Sequence, residues 1–227
     1  MSKLYGLIFD VDGLIADTEP INAKVTIKVF EDMFGLKGVK PEDFDAGIGR
    51  GAEKYVKAAA DVHGLELTEQ QIKDAAQLRE QYLIKAIREE TLPAFPGVLE
   101  LINTALQKQD FRLAIATSAS LELSHAILES VKVPYQKMVY TSGSEIANKK
   151  PDPELFLTAA KRMDIEPANC VVFEDAPSGV QAAVAAGEKC IAVTNSTTAE
   201  NLTGANLICN SLEEIDLQTI RTLVDKS

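Results

Sequence analysis

The chain has 227 residues, 46% of them hydrophobic and 25% charged, and its net charge is −11. This length suits one large domain or a core domain that carries a smaller insertion. The sequence has no Lys/Arg cluster for nucleic acid, no apolar run of the roughly 18 residues that a membrane helix needs, and no uninterrupted apolar signal segment. Three cysteines without CxxC spacing and only two histidines favour reduced thiols in a cytoplasmic protein and disfavour a His-rich zinc site.

The first predicted element is a buried strand, residues 5–9, and a long helical region follows it. Apolar residues recur at helical spacing in three stretches of this region: 23–34, 52–64 and 68–90. Residues 91–97 contain two prolines and predict a linker back to the main fold. We therefore expect residues 19–92 to form an α-helical cap domain, inserted into a core domain of residues 1–18 and 93–227.

The rest of the chain alternates predicted strands and helices. Short apolar runs predict five more strands: 111–117, 137–141, 170–174, 189–193 and 206–210. Helical spacing predicts four helices among and after them: 121–131, 151–163, 178–187 and 212–225. Strands that are apolar throughout and alternate with amphipathic helices indicate a parallel sheet with helices on both faces. The predicted fold class is α/β, a doubly wound parallel sheet core with an inserted α-helical cap domain.

Polar side chains collect where predicted strands end or helices begin. They form four pairs: Asp10 and Asp12, Thr117 and Ser118, Lys149 and Lys150, Glu174 and Asp175. In open α/β sheets, ligands bind beyond the carboxyl ends of the strands. We therefore expect acids, a hydroxyl and a lysine to meet at one edge of the sheet.

This combination of groups suits phosphoryl transfer. Clustered carboxylates can hold Mg²⁺ together with phosphate oxygens, and a carboxylate beside the metal can attack phosphorus to form an aspartyl-phosphate. At about 4 Å and an effective dielectric near 20, one like-charge pair costs roughly 4 kcal/mol, which the metal and a lysine must offset. A second acid two residues after the first could protonate the leaving oxygen.

Four stretches carry a family resemblance: DVDGLIADTE, ATSAS, KKPDP and FEDAPSGVQAA, in this order. Together they resemble the haloacid dehalogenase superfamily of phosphotransferases, in the branch of β-phosphoglucomutase and the sugar-phosphate phosphatases. The likeness spans essentially the whole chain. It implies an Mg²⁺-dependent enzyme that transfers a phosphoryl group from a small phosphorylated metabolite to an aspartate, and then to water or another hydroxyl.

The resemblance assigns the acidic residues to the nucleophile, the acid/base and the metal site. Asp10 matches the nucleophile, which also binds the metal. Asp12 matches the general acid/base, and its backbone carbonyl would bind Mg²⁺. Asp175 matches a metal ligand, and Glu174 matches either a ligand or a residue that supports one.

The same resemblance assigns the phosphate-binding groups. Thr117 matches the phosphate-binding hydroxyl, and the backbone amide of Ser118 would assist it. Lys150 matches the phosphate-neutralising lysine in preference to Lys149, because the motif lysine directly precedes proline.

Candidate substrate-binding residues lie in the predicted cap. The stretch GIGRGA, residues 47–52, superficially fits a dinucleotide-binding pattern, but no predicted strand precedes it. By resemblance it is the cap loop that reads the substrate, with Gly49 and Arg50 as contacts. Asn22 stands where mutase-like patterns often carry histidine, so it favours a phosphatase and could contact a substrate hydroxyl. The role of Arg79 stays open.

The expected function is a cytoplasmic, monomeric phosphatase for a sugar or polyol phosphate, and a phosphomutase of the β-phosphoglucomutase type is the alternative. A dehalogenase would need neither the metal nor the acid at Asp12. A non-enzymatic phospho-accepting receiver module would be much shorter and would lack the cap.

Overall fold

The computed structural model describes residues 3–48 and 51–226 of the chain. The chain forms two compact units: Met1–Asp17 together with Leu92–Ser227, and Thr18–Thr91. The first unit contains a parallel sheet flanked by helices, and the second is helical. The predicted fold class, an α/β core with an inserted helical segment, is confirmed.

One parallel sheet of six strands forms the centre of the first unit. Its strands are β1 (Tyr5–Phe9), β2 (Phe111–Thr117), β3 (Val139–Ser142), β4 (Cys170–Glu174), β5 (Lys189–Val193) and β6 (Leu207–Cys209). Their spatial order is β3-β2-β1-β4-β5-β6, with every neighbouring pair parallel. The order of strands switches direction between β1 and β4, which opens a crevice at their carboxyl ends where ligands bind in such sheets.

Helices cover both faces of this sheet, which explains why its strands are apolar throughout. In chain order the helices are α1 (Glu19–Phe34), α2 (Ala52–Val62), α3 (Glu69–Glu89), α4 (Val98–Leu106), α5 (Leu121–Ser130), α6 (Glu154–Met163), α7 (Pro177–Ala185) and α8 (Leu217–Asp225). Helices α6 and α7 pack with Ile8 and Val172 in one buried cluster. On the opposite face, Arg221 of α8 lies 4.9 Å from the centre of the Phe111 ring.

Several element boundaries differ from the sequence prediction. Helix α4 was not predicted, although its buried residues follow helical spacing. Helix α1 begins at Glu19 instead of residue 23 because Pro20 suits a first helical turn. Helix α6 begins at Glu154, after Pro153, rather than at residue 151. Helix α8 begins at Leu217, where Asp216 caps it by accepting a hydrogen bond from the Thr219 N–H.

The second unit packs α1, α2 and α3 around its own apolar core. Phe44 and Tyr55 stack in this core with ring centres 4.7 Å apart. The side chain of Thr68 accepts a hydrogen bond from the Gln71 N–H and so caps the start of α3. Among the helices that the structure describes, none has the length and apolar character needed to cross a membrane.

Candidate active site

The sheet itself brings the first two acidic residues together. Phe9 at the end of β1 pairs with Phe173 of β4, and the Asp10 N–H donates a hydrogen bond to the Phe173 carbonyl at 3.1 Å. Asp10 and Glu174 therefore leave neighbouring strands at the same level. This level is the carboxyl end of the sheet, at the crevice between β1 and β4.

Three buried carboxylates form a cluster at this point. Asp10, Glu174 and Asp175 each offer a carboxylate oxygen, and these oxygens lie within 4.8 Å of one another. The three residues are 6%, 1% and 3% exposed, so water screens their charges poorly. Among the residues that the structure describes, the Asp12 carboxylate is not part of this cluster.

Lys150 supplies the positive charge of the cluster. Its Nζ lies 2.5 Å from Asp10 Oδ1 and 2.6 Å from Glu174 Oε1. Burial opposes the charge on Lys150, but the two carboxylates outweigh burial and raise its pKa. The lysine is therefore held charged beside the predicted nucleophile.

One lysine does not balance three buried acids. Burial raises the pKa of Asp10, and Lys150 opposes this effect only in part. Burial also raises the pKa of Asp175 well above its usual value, and the nearby charges of Glu174 and Asp10 raise it further. The cluster is thus electrostatically suited to take up a further cation.

The donor set fits a divalent metal such as Mg²⁺. Asp175 Oδ1 is buried and accepts no hydrogen bond from any residue in the described part of the chain. An orphaned carboxylate oxygen in a cluster of acids is what a hard, oxygen-preferring cation would bind. Asp10 and Asp175 are accordingly the best placed of the described side chains to hold the metal.

Glu174 is occupied in a different way. Its Oε1 accepts from Lys150, and its Oε2 accepts from the N–H groups of Asp175 and Ala176 at 2.8 Å and 2.9 Å. A Cβ at Gly179 would overlap this carboxylate, so the first turn of α7 must pass close to it. Glu174 therefore holds Lys150 and the loop that carries Asp175, which suits the supporting role more than direct ligation.

The predicted phosphate-binding residues lie at the end of β2. Thr117 is 1% exposed, and its Oγ1 accepts a hydrogen bond from the Ala119 N–H at 3.1 Å. Ser118 follows it in a half-buried loop that leads to α5. Because β2 is the neighbour of β1, this loop lies at the same sheet edge as Asp10.

The predicted cap residues are only partly described. Gly49 and Arg50 lie outside the described residues. Asn22 is buried in α1, where its Oδ1 accepts a hydrogen bond from Arg79 Nη2 at 2.6 Å. The Arg79 guanidinium lies 5.0 Å from the centre of the Tyr55 ring, and the Tyr55 hydroxyl donates to Glu19.

Two residues near the cluster were missed by the sequence prediction. Asn195 and Ser196 lie in the loop that follows β5; the Asn195 side chain contacts Gly13, and Ser196 Oγ lies near Asp175 Oδ2 beside Gly13. The signal was available, because residues just after each strand were the candidates and this loop, residues 194–198, is entirely polar.

Gly13 is expected to be irreplaceable for steric reasons at this site. Its φ of +77° disfavours any side chain, and a Cβ there would overlap Asp175 Oδ2 and Ser196 Oγ. We expect Gly13→Ala to lower the free energy of unfolding by about 2–4 kcal/mol, from left-handed strain plus overpacking. Urea unfolding of the purified variant measures this.

Gly187 provides the matched control for Gly13. Its φ is +73°, but no described atom lies within 4 Å of a Cβ placed there. Gly187→Ala should lose only the strain component, about 1–2 kcal/mol. Equal losses in the two variants would show that the Asp175 side chain does not crowd Gly13.

Comparison with known proteins identifies a family. The sequence pattern of the family described as "Haloacid dehalogenase-like hydrolase" matches residues 7–193. Fructose-1-phosphate phosphatase YqaB of Escherichia coli is 31% identical over 80% of this chain and 92% of its own length. Hexitol phosphatase A of the same organism is 29% identical over 92% of both chains.

A longer plant protein also matches. Protein SUPPRESSOR OF QUENCHING 1, chloroplastic, of Arabidopsis thaliana is 32% identical over 97% of this chain. The present chain spans only 21% of the length of that protein.

Solved structures show the same fold. CbbY from Rhodobacter sphaeroides, in complex with phosphate, has a TM-score of 0.84 at 24% identity, over 96% of this chain and 99% of that one. β-Phosphoglucomutase from Clostridium difficile has a TM-score of 0.80 at 21% identity, over 98% of both chains.

Proposed function

We propose that this chain, which belongs to the haloacid dehalogenase-like hydrolase family, is an Mg²⁺-dependent phosphatase. The family membership confirms the prediction that it is an enzyme. Its substrate would be a small phosphorylated metabolite, a sugar or polyol phosphate, hydrolysed through an aspartyl-phosphate. The observation that carries the proposal is the buried Asp10, 2.5 Å from Lys150 Nζ and clustered with Glu174 and Asp175. The sugar and hexitol phosphatases among the relatives support the substrate class.

In the first half-reaction a carboxylate oxygen of Asp10 attacks phosphorus. The bond between phosphorus and the ester oxygen breaks, and Asp12 gives its proton to that leaving oxygen. In the second half-reaction Asp12 takes a proton from water, whose oxygen attacks the phosphorus of the aspartyl-phosphate. Inorganic phosphate leaves and the Asp10 carboxylate is restored.

The remaining residues of the cluster lower the electrostatic barrier to this attack. Lys150 offsets the repulsion between the Asp10 carboxylate and an incoming phosphate dianion, and Glu174 keeps the lysine in place. The Thr117 hydroxyl and the Ser118 amide would bind phosphate oxygens. Mg²⁺, held by Asp10, Asp175 and the Asp12 carbonyl with Glu174 in support, would neutralise phosphate charge when bound.

By the family resemblance, the helical unit selects the substrate. Asn22, Gly49 and Arg50 stay the candidate substrate contacts, and Arg79 joins them because it holds the Asn22 amide oxygen. The monomeric state and the cytoplasmic location stay predictions.

The proposal is tested by phosphate release from a panel of sugar, polyol and nucleoside monophosphates. With Mg²⁺ we expect release from one or more sugar or polyol phosphates, falling about 100-fold or more in EDTA, since a bound metal supplies several kcal/mol of charge stabilisation. Re-addition of Mg²⁺ should restore the rate, which controls for damage by the chelator.

Each other outcome of this assay changes the assignment. Release that persists in EDTA would remove the metal from the mechanism. An isomerised sugar phosphate in place of free phosphate would establish the phosphomutase. Absence of turnover across the panel, with a stably phosphorylated chain, would favour the phospho-accepting module.

A further inference from the structure

The loop that follows β5 contacts the turn that carries Asp12. Asn195 Nδ2 donates a hydrogen bond to the Gly13 carbonyl at 2.9 Å, across 182 residues of sequence. The turn itself is closed by bonds from the Gly13 N–H to Ala16 O and from the Ile15 N–H to Val11 O, at 3.2 Å and 2.9 Å. The Asn195 side chain therefore connects this turn to the loop that follows β5.

The next residue of the same loop contacts Asp175. The Ser196 hydroxyl lies beside the Asp175 carboxyl group, next to Gly13. Asp175 Oδ2 and Ser196 Oγ both lie beside the Cα of Gly13, where a Cβ would meet them. The turn at Gly13, the loop at Asp175 and the loop at Ser196 thus lie next to one another.

The two oxygens of Asp175 consequently have different surroundings. Oδ1 is buried without a hydrogen-bond partner among the described residues, whereas Oδ2 is the oxygen that lies near Ser196 Oγ beside Gly13. When one oxygen of a carboxylate is held in place, the orientation of its second oxygen is fixed as well. Hydrogen bonds behind a metal ligand commonly act in this way, and their loss weakens metal binding by about 10- to 100-fold.

We propose that Asn195 and Ser196 are positioning residues of the active site. Ser196 orients the Asp175 carboxylate so that its unpartnered oxygen faces the metal, and Asn195 orients the turn that presents Asp12. This inference rests on the proposed metal-dependent function. Neither residue touches the reacting atoms.

Titration calorimetry of Mg²⁺ binding to the full chain, without substrate, tests the part of Ser196. We expect Ser196→Ala to weaken Mg²⁺ binding by about 10-fold or more. Ser196→Thr keeps the hydroxyl and should bind Mg²⁺ as the wild type does. Should Ser196→Ala not fold, Ser196→Cys carries the test, because a thiol of similar size is only a weak donor.

Steady-state kinetics test the part of Asn195. Asn195→Ala should lower kcat by about 10-fold with KM changed little, because a displaced Asp12 affects proton transfer rather than substrate binding. The pH profile of kcat should also change on the limb that reports the general acid. An unchanged profile with an unchanged kcat overturns this part.

Asn201 supplies the matched control within the same loop region. Its Nδ2 donates to Thr197 Oγ1 at 2.9 Å, without contact to a proposed metal ligand. Asn201→Ala should leave both Mg²⁺ binding and kcat at wild-type values. Wild-type Mg²⁺ affinity in folded Ser196→Ala overturns the inference alone, whereas a wild type that binds no Mg²⁺ overturns the metal site and the inference together.

Discussion

Replacing Asp10 by asparagine is expected to lower kcat/KM for phosphate release by about 10⁴-fold or more, the size of effect seen when an enzyme loses its nucleophile. The amide cannot attack phosphorus to form an acyl-phosphate, although it has the shape of the carboxylate. Its oxygen can still accept the hydrogen bond that Lys150 now gives to Asp10 Oδ1 at 2.5 Å. The loss should therefore be chemical rather than a loss of structure.

Phosphate release and thermal unfolding together distinguish a loss of chemistry from a loss of structure, and mass spectrometry tests the nucleophile. Phosphate release gives the rate, and thermal unfolding shows whether the Asp10→Asn variant remains folded. Intact-chain mass spectrometry after rapid acid quench should detect one added phosphoryl group on the wild type during turnover. The same mass on Asp10→Asn would place the nucleophile on another residue.

Asp61 offers a control for the same chemical change. It lies exposed on α2 and pairs with Lys57 at 2.6 Å, as ordinary surface ion pairs do. Asp61→Asn should retain the wild-type rate and the phosphorylated species. A folded Asp10→Asn variant with wild-type activity would contradict the aspartyl-phosphate mechanism outright.

Replacing Glu188 by glutamine is expected to stabilise the protein increasingly as pH rises from about 5 to about 8. Glu188 lies between α7 and β5, where its N–H donates to the Ala183 carbonyl at 3.1 Å. This position in a glycine-terminated helix end is usually occupied by an apolar residue that packs on the helix. Here a carboxyl group is buried instead.

The environment of Glu188 explains the expected effect. The residue is 4% exposed, and neither of its carboxyl oxygens accepts a hydrogen bond from a described residue. Burial raises its pKa from 4.5 to about 8. Burial raises the pKa of the Cys170 and Cys190 thiols, and the charge of Glu188 raises it further.

The sign of the pH dependence follows from this raised pKa. At pH values below 4.5 the group is protonated in both folded and unfolded chains, so it causes no loss of stability. As pH rises toward 8 the unfolded chain ionises first, which favours unfolding, and the effect levels off once the folded chain ionises too. The full difference is roughly 5 kcal/mol.

The measurement is the difference in the free energy of unfolding between Glu188→Gln and the wild type. Urea unfolding should give a difference of about 1 kcal/mol at pH 5 and roughly 3 kcal/mol at pH 7, because glutamine does not ionise. Titration of all other groups cancels in the difference. Glu166→Gln makes the same change at an exposed position; it is the control and should leave the free energy of unfolding within about 0.5 kcal/mol of the wild type. A flat difference for Glu188→Gln would mean that its carboxylate is solvated.

Local sequence patterns were sufficient for the class of fold and for most of the elements. The apolar runs at residues 5–9 and 170–174 became β1 and β4 with the predicted bounds, because strands buried on both faces carry a signal that needs no tertiary information. Helix α4 was missed even though its apolar spacing is helical, and the start of α8 was misplaced because Asp216 caps it after a separate 3₁₀ turn over Leu212–Glu214. Boundaries depend on caps, and capping residues are also common in loops.

The candidate residues of the site could be named from the sequence, whereas the contacts among them depend on the tertiary structure. Asp10, Lys150 and Asp175 could be named from their motifs, because a short local segment carries each of them, after a strand for the two acids and before a helix for the lysine. The use of both Glu174 oxygens, the bond from Asn195 to Gly13, and the burial of Glu188 could not be predicted. Those features depend on which distant segments meet when the sheet closes, and a hydrogen bond across 182 residues leaves no periodic or local pattern in the chain.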